Sequence, residues 1–306
     1  MSKLDLLIKE GKVNKIKGSK KKIVLNTIYY ISGTILSLIF LFPLLYMIAT
    51  STKSEEAIAQ CAGTLRMFIP NFSSLSSMIK NYKIIFTSYG VWKYALNSFI
   101  YAGIVIVLNV LINGLAGYVL AKYRFPGKKF FNFIIMFLII VPVETSIIPL
   151  YAIVKNVLGL KNALGVFAVI LPSSISIFNI FLFRQFFVSI PSEYEEAARM
   201  DGLNNVQIFF KIILPMSKPI VATVAVFCFI GVWNDYLWPT MVLPSNINGW
   251  PLYPIQAALT SIQAIQGITT GEIMASLVIT SLPIFVVYVA AQKYIVKGFG
   301  TAGLKM

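Results

Sequence analysis

The chain has 306 residues, of which 58% are hydrophobic and 12% charged, with a formal net charge of +15 and no histidine. Soluble domains carry roughly 25% charged residues, so this balance, with a mean hydropathy of +0.80, excludes an ordinary soluble enzyme or binding module. Lysine and arginine cluster between the apolar segments, which reads as membrane orientation and not as a nucleic-acid footprint.

Residues 1–22 form a basic arm with eight lysines, suited to anionic lipid headgroups or to disorder. Six apolar segments follow, each long enough to cross about 30 Å of hydrocarbon as a helix. They are Ile23–Thr50, Tyr94–Ala121, Phe130–Val154, Asn162–Phe183, Pro219–Pro244 and Ile273–Gln292. Helix is the expected state because lipid cannot satisfy backbone polar groups. The first segment is too long for a cleaved signal peptide and reads as a retained anchor. Pro142, Pro172 and Pro283 fall inside segments, where neighbouring helices tolerate them.

Of the 26 lysines and arginines, 19 lie in 1–22, 121–129, 184–218 and the tail from Lys293, and 7 lie in the alternate loops. The positive-inside rule then places both termini in the cytoplasm. The expected division is a basic arm at 1–22, a six-span membrane domain at 23–296 and a cytoplasmic tail at 297–306.

Cys61 lies in a polar stretch and Cys228 in an apolar one, so no disulfide between them is expected. Without histidine, neither a His/Cys metal site nor a nucleophile–histidine pair is expected. No Gly-rich phosphate loop is present. The chain therefore reads as non-catalytic, holding no cofactor of its own.

The loop at 191–218 interrupts this apolar chain with "SEYEEAARMDGLNNVQIFFKIILPMSKP". Ser192 and Glu195 have capping-box spacing. Glu193, Glu195 and Glu196 fill a first helical turn, where the helix dipole favours negative charge. Glu195 and Arg199 are i, i+4. Tyr194, Ala197, Ala198 and Asp201 share one expected face, small in the middle, and Gly202 provides the stop. Val206, Phe209, Phe210 and Ile213 recur with helical period, and Pro215 ends the second helix. A helix pair lying on lipid is one reading. Acidic residues against an anionic leaflet favour a protein partner instead.

"EAARMDGLNNVQIFFKIILP" matches E-A-A-x3-G-x9-I-x-L-P through Glu196, Ala197, Ala198, Gly202, Ile212, Leu214 and Pro215. This resembles the EAA loop of permease subunits in ATP-binding-cassette (ABC) importers. "WNDYLWPTMVLP" and the tail "KGFGTAGLKM" resemble the carbohydrate, MalG-like, binding-protein-dependent branch, and the resemblance covers residues from about 25 to the end.

The resemblance implies an all-α membrane protein of six transmembrane helices, the type I importer permease fold, with cytoplasmic coupling helices. It implies that Tyr194, Glu196, Ala197, Ala198, Asp201, Gly202, Phe209 and Pro215 serve ATPase coupling. Gly300, Thr301, Ala302 and Gly303 would reach the ATPase through the tail. Implied partners are a second, MalF-like permease, two ATPase copies that hold ATP and Mg, an extracytoplasmic solute-binding protein, a sugar substrate and the bilayer. Glu144 departs from the pattern in charge.

Intramembrane ionisable groups are candidates for a translocation path. Glu144, Asn234, Asp235 and Trp238 are the residues so placed. For Trp238 the other reading is an interface belt, and for Asp235 a local cap. Other functions fit part of the same sequence: an importer for a non-sugar solute, a secondary carrier, or a membrane adaptor that binds an ATPase without forming a path.

Overall fold

The computed structural model describes residues 20–71 and 75–303, so most of the basic arm and the last three residues lie outside it. The chain is a bundle of long apolar helices. Four are individually long and apolar enough to cross a membrane: Val24–Ser51, Val91–Lys122, Gly165–Val188 and Thr270–Gln292. Two bent pairs, Lys128–Ile140 with Val143–Val157 and Asn205–Met216 with Lys218–Asn234, bring the number to six when each counts as one span.

Three expected spans are not the continuous helices that hydropathy suggests. The third bends by 99°. Val141 precedes Pro142, whose ring pushes it out of the helical region to φ −72°, ψ 123°. The fourth breaks between Ser173 and Ile177 and runs on to Val188. The fifth ends at Asn234. Asp235 then turns, and its carboxylate accepts the backbone N–H of Trp238 at 3.2 Å, opening the short helix Leu237–Val242. The sixth continues in backbone to Gly303, so the expected tail begins as helix.

Helix Val91–Lys122 is the central post. It packs against Ile177–Val188 and Lys218–Asn234, while Thr270–Gly303 packs against Lys218–Asn234 and Lys20–Ser51. The middle of the first helix buries nothing within this chain. The close approach of the post to Ile177–Val188 depends on Gly117. A Cβ there would lie 2.7 Å from Phe183 Cβ and 2.9 Å from the Arg184 backbone nitrogen. Small residues at such crossings let backbones approach in lipid.

The core falls into two apolar clusters. One gathers Tyr101, Val105, Ala168, Trp233, Trp238 and Ile255. The other gathers Tyr118, Phe183, Phe187, Ala198, Phe209 and Ile213, at the end that carries the charged loop. Between them along the post lie Asn109 and Asn113, 1% and 0% exposed. Asn113 repairs the break in the fourth span: its Nδ2 donates to the Ser174 carbonyl at 3.0 Å and its Oδ1 accepts the Ser176 N–H at 3.2 Å. Asn179 Nδ2 donates to Asn109 Oδ1 at 3.0 Å. Unwound backbone survives at membrane depth only where protein groups satisfy it in this way.

A tryptophan repairs a proline defect by the same logic. Pro172 has no N–H, so the carbonyl of Ala168 loses its helical donor. Trp238 Nε1 donates to that carbonyl at 2.9 Å. Trp233 Nε1 donates to the Thr280 carbonyl, in the turn before Pro283, at 3.0 Å.

Gly117→Val should destabilise the chain by about 1–3 kcal/mol, the ordinary cost of overpacking. Gly231→Ala should cost nothing, because no atom lies within 4 Å of a Cβ there. Thermal melting of both variants in one detergent checks the contrast.

Candidate functional site: a charged loop clamped to the bundle

The loop at 191–218 is the most polar excursion of an apolar bundle, and its first helix is Glu193–Met200. The expected capping box is not formed. Ser192 is already helical at φ −70°, ψ −21° and its side chain makes no cap bond. Glu195, which that box required, points inward and is 4% exposed.

A carboxylate so deep in an apolar bundle needs a cation. Lys122, at the last turn of the central post, places Nζ 3.2 Å from Glu195 Oε1. The Tyr118 hydroxyl, one turn earlier, donates to Oε2 at 3.2 Å. Arg199 lies 3.8 Å away, the expected i, i+4 partner. Lys122 also donates to the Ile190 carbonyl, just beyond helix Ile177–Val188. One ammonium thus ties together the post, the end of the fourth span and the loop.

The loop's turn is a Schellman motif: Leu203 N–H reaches the Ala198 carbonyl and Gly202 N–H the Arg199 carbonyl, both at 3.0 Å. Gly202 has φ +81°, a conformation that side chains other than glycine disfavour. The capping box that does form lies in the next helix. There Asn204 Oδ1 accepts the Gln207 N–H at 2.9 Å, and Gln207 Oε1 accepts the Asn204 N–H at 3.0 Å.

The structure divides the expected coupling residues into two sets. Tyr194, Glu196, Ala197, Asp201, Gly202 and Pro215 are exposed. Ala198 and Phe209 are not: they are 4% and 0% exposed, packed into the cluster with Phe183 and Phe187. They belong to the seat and not to the outer face. The second helix explains the discrepancy. It changes to π geometry over Phe209–Ile213, and the wider turn rotates the register. Phe209 and Ile213 therefore face inward, while Val206 and Phe210 face out at 61% and 42% exposure. Met200, 84% exposed, also joins the outer face. Helical period alone did not separate these residues.

The four intramembrane candidates are not assembled into one site. Trp238 is 8% exposed and spends its indole N–H on Ala168, so it is a core residue and not a path-lining one. Asp235 caps helix Leu237–Val242, the local role that the sequence left open. Asn234 is exposed, as is Glu144 in the turn Val143–Ser146. Gly300, Thr301, Ala302 and Gly303 lie on the helical backbone of the last element, and their side chains lie outside the described residues. Asn109, Asn113 and Asn179 went unnoticed in the sequence; amides at i, i+4 inside an uncharged span were the available signal.

Residues 113–300 match the family model described as "binding-protein-dependent transport system inner membrane component". The chain is 31% identical to the arabinooligosaccharides transport system permease protein AraQ of Halalkalibacterium halodurans, over 92% of this chain and 97% of that protein. It is 32% identical to the sn-glycerol-3-phosphate transport system permease protein UgpE of Salmonella typhi, covering 85% of this chain and 90% of that one. A crystal structure of a bacterial ABC transporter involved in import of the acidic polysaccharide alginate contains a chain that superposes with TM-score 0.77 at 26% identity. The match covers 90% of this chain and 98% of that one.

Lys122→Met leaves the Glu195 carboxylate buried without its main counter-charge and should destabilise the seat by about 3–5 kcal/mol. Lys122→Met with Glu195→Met should recover most of that loss. Melting temperature and the rate of trypsin cleavage at Arg199 report both effects.

Proposed function

The chain belongs to the family of binding-protein-dependent transport system inner membrane components, and we propose that its charged loop is the lever by which a separate ATPase drives a sugar permease. The chain is a multi-pass membrane subunit and is itself non-catalytic. The observation that carries the proposal is the clamp. A loop whose outer face offers Tyr194, Ala197, Met200 and Val206 is held rigidly to two spans by a buried ion pair. Such a knob suits a protein partner, because exposed apolar side chains outside the lipid-facing spans mark interaction surfaces.

In this reading the chain forms half of a translocation path, with a second permease of the same kind as the other half. Two ATPase subunits, which hold ATP and Mg, sit under the loops, and an extracytoplasmic binding protein delivers the solute. Gly300, Thr301, Ala302 and Gly303 extend the contact with the ATPase. The lysine and arginine bias supports a cytoplasmic side for the loop and both termini. ATPase closure displaces the Glu193–Met200 helix. Lys122 and the buried Ala198 and Phe209 pass that displacement to the post and to helix Ile177–Val188. A partner shifts the equilibrium between inward- and outward-open states only through contacts that differ between them, and the loop's outer face is where those contacts are made.

An oligosaccharide is the cargo most consistent with the arabinooligosaccharide and alginate relatives. A second reading, a small phosphorylated solute, has the similarity to UgpE in its favour.

Gly202→Val forces a β-branched residue into left-handed backbone at a cost of order 1–3 kcal/mol. It should abolish uptake by the assembled importer while leaving membrane insertion intact. Gly202→Asn, which tolerates that conformation, should retain most uptake, and equal uptake by all three proteins would remove the lever. Orientation has its own test. A membrane-impermeant maleimide should label Cys61 in intact cells, and should label an Arg199→Cys variant at position 199 only after permeabilisation.

A further inference from the structure

At the end of the bundle opposite the charged loop lies a cleft of about 430 Å³, lined by Tyr151, Lys155, Asn156, Lys161, Asn162 and residues 241–244. Its chemistry is one-sided. Two lysines, two amides and a phenol converge there, and no carboxylate is among the lining residues. Lys155 is half-buried and donates one proton to the Val242 carbonyl. An ammonium has three donors, so two remain. Lys161 makes no ion pair and no side-chain hydrogen bond with the described residues. Two cations therefore face one small volume without a counter-charge in a chain that supplies buried Glu195 with one.

The backbone around the cleft is specialised. Lys155 sits in a π-turn, Ile153–Val157, a geometry frequent at functional sites. Asn162 holds φ +53° and Gly159 φ +64°. Glycine and asparagine both tolerate left-handed backbone, and the two positions turn the chain tightly here. The turn is closed by Leu160 N–H on the Val154 carbonyl at 3.0 Å, which brings the Lys161–Asn162 segment back beside Lys155.

We propose that this cleft is an oxyanion-binding site, taking one phosphate or carboxylate group between Lys155 and Lys161 with the Asn156 and Asn162 amides as further donors. Charge-assisted hydrogen bonds to such groups are about twice as strong as neutral ones. The group arrives either on an anionic lipid headgroup or on a soluble anionic solute; the binding chemistry is the same. The site is independent of the importer reading, because it concerns the far end of the bundle and needs no ATPase.

The test uses the full chain in nanodiscs. In phosphatidylcholine discs, inorganic phosphate and glucuronate are titrated by ligand-observed NMR with glucose as the neutral control. In discs containing phosphatidylglycerol, retained lipid is counted by native mass spectrometry. Lys155→Gln with Lys161→Gln should weaken the response at least ten-fold in one arm or the other, and Lys155→Arg with Lys161→Arg should preserve it. Binding of soluble anions without retained phosphatidylglycerol assigns the site to a solute. Retained phosphatidylglycerol that phosphate does not displace assigns it to lipid. The proposal is overturned if the glutamine variant, inserted and melting like the parent, matches it in both arms, or if glucose binds as well as glucuronate.

Discussion

The ion pair between Glu195 and Lys122 is the constraint from which the rest of the molecule follows. Glu195 is buried and Lys122 nearly so, with side-chain exposures of 5% and 11%. Removing two charges from water costs several kcal/mol per ion, so such a pair adds little net stability over an apolar substitute. What it adds is position. The lysine ends the central post, the carboxylate belongs to the loop, and the same ammonium holds the Ile190 carbonyl behind the fourth span. With Tyr118 as the fourth member, an error in register anywhere in this group strands a charge.

The clamp gives the lower half of the bundle the character of one body. Tyr118, Phe183, Phe187, Ala198 and Phe209 pack as a single cluster across post, span and loop. Toward the other end lies a layer of amides, then a second cluster built on Trp233 and Trp238. Polar groups satisfied by side chains, and not by helical ladders, mark the places where spans are interrupted. Asn113 bridges the break at Ser174–Ser176, and Trp238 fills the bond that Pro172 cannot make. The interruptions at Asn113 and Asp235 fall along or above this boundary. The post itself runs unbroken from Val91 to Lys122, whereas the third, fourth and fifth spans are interrupted.

Much of this was legible in the sequence. Gly202, the glutamates of the first turn, the Glu195–Arg199 pair and the six apolar segments are local features, set by spacing and residue type. What failed was non-local. The box at Ser192 was locally sound, but Lys122, 73 positions earlier in the chain, claims Glu195 for a stronger interaction. Phe209 and Phe210 look alike by period, and a π-turn decides which one is buried. Trp238, beside an acid and an amide, looked like part of a translocation path. Its actual partner is a carbonyl freed by a proline 66 positions away. Hydropathy gave the spans and could not give their breaks, because the groups that repair a break lie on another helix.

Whether the loop and the post move as one unit is measurable directly. Spin labels at Leu115→Cys on the post and Ala197→Cys on the loop, with Cys61 and Cys228 replaced, report their separation by pulsed electron resonance in the assembled importer. The account predicts one narrow distance that is the same with and without ATP, while labels across the break in the fourth span change theirs. A distance between 115 and 197 that shifts or broadens through the ATP cycle would mean that the loop swings free of the post, and the clamp would then transmit nothing.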